Sequence, residues 1–333
     1  MTGTLEVDAA RPAPTEPLRF GAQLWSQATD WPSFRDAALL AERSGWDSVW
    51  TWDHLNAIFG PWDQPILEGW SLLSALAPLT HRVRLGLMVG ANTFRNPGLT
   101  AKLATTLDHL SGGRAVVGIG AAWFAREHEA FGLDFGTGFG ERLDRLDEAV
   151  GLIRRLLDGE TVTHDGRFYR MREAICAPRP IQTRLPILVG ASGPRKGVPT
   201  VGRHADAWNT NGPPDEVAPR VAILDAAARA AGRDPGAIER SISFPMVIRD
   251  DAAAAERAFT RLLAHNRTED AGSGAALLGS PVAIAAAIRP FMKLGFGTVI
   301  VRLPAPFDRE TIERIGDVGA LLGRRAGAQG ASG

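Results

Sequence analysis

The chain has 333 residues, of which 45% are hydrophobic and 22% are charged, an ordinary composition for a protein with a large buried core. Its 37 basic and 37 acidic residues cancel and are scattered along the chain, so no basic stripe indicates binding to nucleic acid or to an anionic membrane. No apolar run approaches the roughly 20 residues that a membrane-spanning helix needs. We therefore expect a globular protein without nucleic-acid or membrane partners.

The two ends of the chain differ in composition from its middle. Residues 1–17 lack the basic start and the apolar centre of a secretory signal. We expect them, and the tail at 324–333, to be disordered flanks of one domain spanning residues 18–323. The single cysteine, Cys176, excludes an intramolecular disulfide and fits a reducing cytoplasm.

Short apolar runs alternate with amphipathic segments from one end of the chain to the other. We predict eight strands, at 19–25, 47–54, 83–93, 114–120, 186–190, 206–210, 241–249 and 297–303. Helices are predicted at 33–45, 69–80, 97–113, 139–159, near 194–204, at 215–231, 252–265, near 281–294 and at 309–322. A polar segment at 162–171 is typical of a hairpin.

The predicted strands are continuous in Val, Ile and Leu, which is typical of a parallel sheet covered on both faces. Eight such strand–helix units without a break in composition favour a closed (β/α)8 TIM barrel of the α/β class. Segments 124–137, after the fourth strand, and 161–185, before the fifth, are predicted to be insertions. A doubly wound sheet also alternates, but its glycine-rich turn more often follows the first strand.

The fourth predicted strand ends in Gly118-Ile119-Gly120, which begins the dinucleotide-binding pattern G-x-G-x-x-G. Trp123 stands where the third glycine belongs, and no acidic residue closes a further strand about 20 residues later, so a Rossmann fold is disfavoured. In a barrel, these glycines would lie at the C-terminal rim. Active sites are built there, and a missing side chain lets a flat ligand approach the backbone.

The second predicted strand ends in Asp53-His54, an acid–histidine pair. A histidine can exchange a proton near neutral pH, with the aspartate orienting it or contacting a ligand. The alternative is a satisfied polar pair at the start of a loop. The spacing of the seven histidines includes no H-x-H or H-x-x-x-H pair, and no G-x-S-x-G is present. We therefore predict no metal site and no serine-hydrolase elbow.

The fifth predicted strand leads into Gly190-Ala191-Ser192-Gly193, a turn of small residues before a helix. Exposed N–H groups in such a turn, together with the helix dipole, favour a bound phosphate. Arg195 and Lys196 add positive charge. The alternative is an ordinary connection between a strand and a helix.

Several long motifs, in this order, resemble the bacterial luciferase-like monooxygenase superfamily, and in particular its coenzyme F420-dependent oxidoreductases. The motifs cover most of residues 18–212. They are AERSGWDSVWTWDHL, RVRLGLMVGANTFRNPGLTAKLATTLDHLSGGRAVVGIGAAW, REHEAFGLDFG, ERLDRLDEAVGLIRRLL, PRPIQTRLPILVGASG and RHADAWN.

The resemblance implies a barrel that binds a flavin or deazaflavin across the C-terminal rim, usually as a homodimer or a larger assembly. Asp53 and His54 would then meet the ring edge, with His54 as the proton donor or catalytic polar group. Met88 and Val89 would form a cis peptide that supports one face of the ring. The remaining cofactor contacts implied are Gly120, Ala121, Ala122, Gly190, Ala191, Ser192 and Gly193.

Two departures from the resembled pattern bear on the cofactor groove. Where relatives commonly have Gly-Ala-Gly-Trp, this chain has an alanine, Ala122, in place of the second glycine. Where they commonly have Gly-Gly, it has Gly190-Ala191. Each alanine adds a methyl group that narrows the groove. The expected substrate pocket is apolar, lined by Trp25, Trp52, Phe59, Trp62 and the insertions.

The predicted function is an F420-dependent oxidoreductase that transfers a hydride between the deazaflavin and a small organic substrate. The first alternative is an FMN-dependent monooxygenase that uses reduced flavin and oxygen. The second is a catalytically silent barrel subunit, which the intact Asp53-His54 pair argues against. The pair and the TFRNP motif favour the deazaflavin. We expect the protein to be cytoplasmic and a homodimer or higher oligomer.

Overall fold

The computed structural model describes residues 18–272 and 274–324. The expected leader at 1–17 lies outside the described residues, and so does the tail from 325 onward. Arg324 was expected in the disordered tail, but its Nη2 donates to Gly45 O and to Asp47 Oδ1, each at 2.8 Å. The described part of the barrel therefore extends through Arg324.

Eight parallel strands form the wall of a closed barrel, in the order in which they occur along the chain. They are β1 (Arg19–Leu24), β2 (Ser48–Thr51), β3 (Arg84–Leu87), β4 (Ala115–Gly120), β5 (Ile187–Gly190), β6 (Ala207–Thr210), β7 (Glu239–Ile248) and β8 (Thr298–Leu303). The barrel closes where β8 pairs with β1. The predicted (β/α)8 TIM barrel is confirmed.

Helices cover the outside of the barrel and alternate with its strands. The helices lie at Trp31–Arg43, Gly69–Leu76, Pro97–Ser111, Ala125–Phe131, Phe139–Leu157, Gly197–His204, Pro214–Ala230, Ala252–His265, Pro281–Lys293, Arg309–Glu313 and Ile315–Leu321. No helix among the described residues is long and apolar enough to cross a membrane.

Local signals in the sequence explain where many helices begin and end. In the helix Pro97–Ser111, the side chain of Asn96 accepts from Gly98 N, and Pro97 occupies the first turn, where its missing N–H costs nothing. The helix ends at Gly112, whose φ of 66° is left-handed and strongly favours glycine. The predicted end at residue 113 is therefore two residues late.

The barrel interior is filled by a separate apolar cluster: Trp50, Met88, Val116, Leu188, Ala207 and Ile300. Trp50 takes up the largest share of this space, between two glycines of neighbouring strands. A Cβ at Gly21 would lie 2.6 Å from its Nε1, and a Cβ at Gly86 would lie 2.6 Å from its Cζ3. These glycines leave the room that the indole needs, because protein interiors are close-packed.

Four elements depart from the simple alternation. The predicted strand 83–93 is interrupted after Leu87, and a separate two-residue strand, Gly90–Ala91, pairs with β4. A short helix (Ala125–Phe131) and an antiparallel hairpin (Val162–Asp165 with Arg170–Ala174) occupy the two predicted insertions. A short strand that the sequence did not suggest, Leu277–Gly279, pairs with β7.

The predicted helix 309–322 is wrong as a single element, because it is interrupted at Arg314, where φ is −95° and ψ is 7°. The indole N–H of Trp46 donates to Ile312 O at 2.9 Å. An uninterrupted helix would use that carbonyl to accept from Gly316 N.

Candidate active site

A cleft of about 680 Å³ opens at the C-terminal ends of the barrel strands, the end at which barrel active sites are built. The predicted site residues that line it are Trp52, Asp53, His54, Phe59, Met88, Val89, Gly120, Ala121, Ala122, Gly190, Ala191, Ser192 and Gly193. The barrel thus brings the ends of β2, β3, β4 and β5 to one cavity. The peptide bond between Met88 and Val89 is cis, as the resemblance implies.

Asp53 is buried at the end of β2 and is held by a guanidinium. Arg95 donates to its two oxygens at 2.6 and 2.9 Å, and Ala91 N donates to Oδ2 at 2.8 Å. Burial raises the pKa of the Asp53 carboxyl, while Arg95 and the Ala91 N–H act in the opposite direction. Both oxygens of Asp53 are used to anchor residues 91–95 beneath the cleft.

His54 is oriented by a carboxylate from the first insertion. Its Nδ1 lies 2.9 Å from Glu127 Oε1, and the other oxygen of Glu127 accepts from Leu55 N at 2.9 Å. Glu127 is almost fully buried, with 1% of its side chain exposed, whereas His54 keeps 13% exposed at the cleft. The residue that orients His54 is thus Glu127, which is 73 residues away, and not Asp53, the orienting residue considered from the sequence.

Aromatic rings surround the imidazole of His54 edge-on. Trp52 lies 6.2 Å away between ring centroids, Trp123 lies 5.8 Å away and Phe124 lies 6.2 Å away, all at steep interplanar angles. These rings cover part of the imidazole surface, and 13% of the His54 side chain stays exposed. The arrangement suits a group that exchanges a proton with a ligand in the cleft.

The glycines at the end of β4 serve the packing of the neighbouring strand. A Cβ at Gly118 would lie 1.7 Å from Leu87 O, and a Cβ at Gly120 would lie 2.7 Å from Val89 Cγ2. A Cβ at Gly190 would lie 3.0 Å from both methyl groups of Val89. The two glycines at 120 and 190 therefore make room for Val89, whose half-buried side chain then lines the cleft.

Ala122 lies in the same rim with a left-handed backbone, at φ 63°. This region disfavours residues with a Cβ and suits glycine, the residue that the resembled pattern has here. Ala122 lines the cleft, in the place where the resemblance to the family pattern implies a contact with the cofactor.

The turn after β5 presents a hydroxyl and small residues to the cleft. Ser192 Oγ lies 3.1 Å from Thr210 Oγ1, and a Cβ at Gly193 would meet no atom within 4 Å. Ala191 N donates to Asn209 O at 3.0 Å, so that N–H is already used. Lys196 Nζ pairs with Asp144 Oδ1 at 2.6 Å, which directs its charge toward the helix Phe139–Leu157.

Two of the four aromatic residues predicted to line a substrate pocket do not line the cleft. Trp25 is fully buried outside the lining of the cleft, where its ring stacks on that of Phe59 with the two centroids 4.6 Å apart. Trp62 is 49% exposed and lies under the guanidinium of Arg126, 4.4 Å from its ring centroid. Trp52 and Phe59 do line the cleft, so of the four aromatic residues only these two lie where a ligand in the cleft would contact them.

The residues that line the cleft and were not assigned from the sequence include five polar or charged ones: Gln23, Glu127, Asn209, Ser243 and Arg302. Gln23, Asn209 and Arg302 lie near the carboxyl ends of β1, β6 and β8, and Ser243 lies in the middle of β7. A polar residue inside a buried strand is the signal that would have found these four. Glu127 had no such signal, because its contact with His54 depends on how the insertion folds back.

The closed eight-stranded barrel and the rim cleft with its His54–Glu127 pair define a (β/α)8-barrel enzyme. The chain belongs to the luciferase-like monooxygenase family, whose model matches residues 16–286.

Relatives of known activity support this membership. The chain is 37% identical over 202 residues to the F420-dependent glucose-6-phosphate dehydrogenase of Microbacterium testaceum, an alignment that covers 59% of this chain and 57% of that protein. It is 35% identical over 250 residues to the enzyme of the same name from Kineococcus radiotolerans, covering 72% and 71%. The chain thus spans little more than half the length of the first of these relatives.

A solved structure has the same fold. The coenzyme F420-dependent tetrahydromethanopterin reductase of Methanopyrus kandleri superposes with a TM-score of 0.74 at 22% identity, covering 90% of this chain and 98% of that one. This similarity extends the barrel assignment over nearly the whole chain.

Proposed function

We propose that the protein is an F420-dependent oxidoreductase that moves a hydride between the deazaflavin and a small organic substrate. The observation that carries the proposal is the His54–Glu127 pair, which lies beside aromatic rings at the rim of a cleft large enough for a ligand. The names of the two relatives described above, both F420-dependent dehydrogenases, support the deazaflavin over other cofactors.

The residues of the cleft suit such a cofactor. Met88 and Val89 offer an apolar face to a flat ring, and residues 120–122 line the cleft beside it. The Ser192 hydroxyl and the open space at Gly193 suit a phosphate. F420, when bound, supplies a two-electron hydride carrier. Asp53 would contribute by anchoring residues 91–95 beneath it.

His54 would handle the proton that accompanies the hydride. A carboxylate is only an acceptor, so Nδ1 of His54 carries a hydrogen toward Glu127, and Nε2 is the nitrogen that exchanges a proton with the substrate. When a substrate alcohol is oxidised, its hydroxyl proton passes to Nε2; when a carbonyl is reduced, Nε2 returns it. Trp52 and Phe59 would hold the apolar body of the substrate.

The direct test is a visible-spectrum titration of the purified protein with F420 and with FMN in parallel. We expect a saturable spectral change with F420 at micromolar protein and a much weaker one with FMN. The reverse preference would replace the proposal with the FMN-dependent monooxygenase. Absence of binding by either cofactor would favour the catalytically silent barrel subunit.

His54→Ala tests the proton-transfer role. The variant should fold and bind F420 as the wild type does, while the turnover of F420 falls roughly 10²- to 10⁴-fold, the usual range for a lost general acid or base. Circular dichroism and the F420 titration provide the controls for folding and binding. Turnover at the wild-type rate would remove His54 from the mechanism.

We further propose that the protein is a cytoplasmic homodimer or a higher oligomer. Exposed apolar side chains gather around the helix Pro97–Ser111 and the segment that runs beside it: Leu99, Leu110, Ile175 and Ile181. Such clusters favour contacts between protein surfaces. Sedimentation velocity on the purified protein would measure the mass, and a monomer at all concentrations would contradict the proposal.

A further inference from the structure

A second histidine, His128, follows Glu127 in the short helix Ala125–Phe131 and is almost fully buried, with 1% of its surface exposed. It does not line the cleft, whose aromatic wall is formed by Trp52 and Phe59. An unpaired polar group inside a protein is costly. Both ring nitrogens of His128 must therefore find partners within the protein.

The partners of these two nitrogens lie in different segments of the chain. Nδ1 of His128 lies 2.9 Å from Phe124 O, and because a carbonyl oxygen only accepts, Nδ1 carries the hydrogen. Nε2 of the neutral ring is then an acceptor, and the hydroxyl of Thr93, 2.6 Å away, donates to it. His128 thus joins the first insertion to a residue that lies 35 positions earlier in the chain.

Aromatic packing joins the same two segments. The ring of Phe94, which follows Thr93, lies 5.0 Å from the imidazole of His128 between centroids. The ring of Phe135, from the first insertion, lies 4.4 Å from it. The guanidinium of Arg142, which is itself buried, lies 3.7 Å from the centroid of the Phe135 ring. The imidazole of His128 is therefore held by packing as well as by its two hydrogen bonds.

These contacts complete a closed path that leaves the end of β2 and returns to it. Thr93 belongs to the segment that Asp53 anchors beneath the cleft. His128 joins Thr93 to the short helix, and Glu127 of that helix binds His54. Because Asp53 and His54 are neighbours in the sequence, the path fixes the short helix relative to the strand end that carries His54.

We propose that His128 is a positioning residue for proton transfer, because its bond to Thr93 holds the short helix where Glu127 reaches Nδ1 of His54. The inference rests on the proposed function, since it concerns the transfer assigned to His54. A helix of seven residues is not stable by itself in water, so its place depends on tertiary contacts such as this bond. Without the bond, Glu127 withdraws and His54 loses its fixed tautomer.

The tautomer of His54 is the direct measure of this role. Heteronuclear NMR of protein with isotope-labelled histidine shows which ring nitrogen carries the hydrogen, and His54→Ala identifies the signals. Thr93→Val removes the hydroxyl and keeps the shape of the side chain, whereas Thr93→Ser keeps the hydroxyl. His128→Phe keeps an aromatic ring and removes both hydrogen bonds. We expect the hydrogen on Nδ1 of His54 in the wild type and in Thr93→Ser, and a mixture of tautomers in Thr93→Val and His128→Phe.

Kinetics with F420 measure the consequence for the reaction. Thr93→Val and His128→Phe should lower kcat roughly 10- to 100-fold, the scale expected when a catalytic group is displaced by about 1 Å. KM and the dissociation constant of F420 should stay within about twofold, since neither residue lines the cleft. The double variant should lose no more than His128→Phe alone, because both changes remove the same hydrogen bond. His81→Phe, exposed before β3 at the opposite end of the barrel, is the control.

Two results would overturn the inference. The first is a Thr93→Val or His128→Phe protein, folded by circular dichroism, in which His54 keeps the wild-type tautomer. The second is an equal effect of Thr93→Val and Thr93→Ser, which would show that the hydroxyl has no part. If His128→Phe does not fold, Thr93→Val tests the same bond alone. The NMR measurement needs no F420, so it tests the inference even where His54→Ala turns over at the wild-type rate and the proposed proton transfer fails.

Discussion

Glu127 determines which nitrogen of His54 is available for proton transfer. Its two oxygens are occupied by His54 Nδ1 and Leu55 N, at 2.9 Å each. A carboxylate in that position accepts from Nδ1 and so fixes the tautomer of the imidazole. Glu127 is a positioning residue, since it acts on the substrate through the imidazole.

We expect Glu127→Gln to lower kcat by roughly 10²-fold with little change in the dissociation constant of F420, because the amide keeps an acceptor for Nδ1 but removes the charge. The rate of F420 reduction under saturating conditions measures the effect. Glu129→Gln, on the exposed side of the same short helix, is the matched control. A Glu127→Gln enzyme with full kcat would mean that the carboxylate only holds the loop.

Ala122 stores backbone strain at the rim of the cleft. Its φ of 63° is left-handed, a conformation that costs a residue with a Cβ about 1–2 kcal/mol. Part of any gain from glycine is offset by the greater flexibility of the unfolded chain. Ala122→Gly should therefore raise the free energy of unfolding by up to about 1 kcal/mol, measured by urea denaturation.

Ala121→Gly is the matched control for this change. Ala121 is buried and its backbone is not left-handed. Glycine at this position should therefore lower the free energy of unfolding by about 0.5–1 kcal/mol. If both variants lose stability to the same extent, backbone strain at Ala122 does not contribute significantly to the free energy of unfolding.

At the scale of elements, a buried amide holds the loop that carries the aromatic wall. The side chain of Gln27 is fully buried; its Oε1 accepts from Ile58 N at 3.0 Å and from Phe59 N at 3.2 Å, and its Nε2 donates to Phe59 O at 2.9 Å. Gln64 adds a bond from its Nε2 to Asn266 O at 3.0 Å. Side-chain hydrogen bonds from Gln27 and Gln64 therefore hold the part of the loop around Ile58 and Phe59, which is not paired as a strand.

We expect Gln27→Ala to lower the free energy of unfolding by about 2–3 kcal/mol, since it leaves several buried backbone groups without partners. It should also raise the KM for substrate, because Ile58 and Phe59 line the cleft. Urea denaturation and steady-state kinetics measure the two effects. Gln64→Ala, whose side chain is only half-buried, should cost less than about 1 kcal/mol. Equal effects on KM would show that Gln27 has no special part in positioning the wall.

Elements were predictable from the sequence where the signal is local. The strands are continuous apolar runs, and Asn96 and Gly112 mark the ends of their helix. The break at Arg314 was not predictable, because the carbonyl of Ile312 is taken by Trp46, 266 residues away. The pairing of His54 with Glu127 was missed for the same reason, since only the folded insertion brings them together.

At the scale of the whole molecule, closure of the barrel places distant residues in one cleft. The six register pairs from Arg19↔Thr298 to Leu24↔Leu303 join the first strand to the last. They set Gln23 beside Arg302, although almost the whole barrel separates the two along the chain. Composition and periodicity predicted the barrel, but the pairing of Gln23 with Arg302 arises from register, which no local pattern in β8 specifies.

Asp147 links two helices of the outer layer and makes stability depend on pH. Its carboxylate accepts from Thr200 Oγ1 at 2.9 Å and from Arg203 Nη2 at 2.6 Å. Despite partial burial, which acts the other way, hydrogen bonds from His204, Arg203 and Thr200 hold the pKa of Asp147 well below its usual range. Because that pKa is lower in the folded state, its contribution is present above the unfolded value, about 3.9, and is lost as the pH falls below it.

Asp147→Asn should therefore destabilise the protein at pH 7, and the difference from the wild type should shrink as the pH falls below about 4. Thermal unfolding of both proteins across this pH range measures the difference. Asp165→Asn, on the exposed hairpin, is the control. A difference that stays constant down to the lowest pH would show that charge on Asp147 does not contribute.

The single cysteine has a practical consequence for watching this molecule at work. Cys176 is buried, with its Sγ 3.3 Å from Thr105 Oγ1, so the folded protein offers no readily reached thiol among its described residues. A cysteine introduced at Asp63, exposed in the loop that carries Phe59, would then take up a thiol-reactive dye at one position. Its fluorescence would report in real time on the loop that carries Phe59 as a ligand enters the cleft.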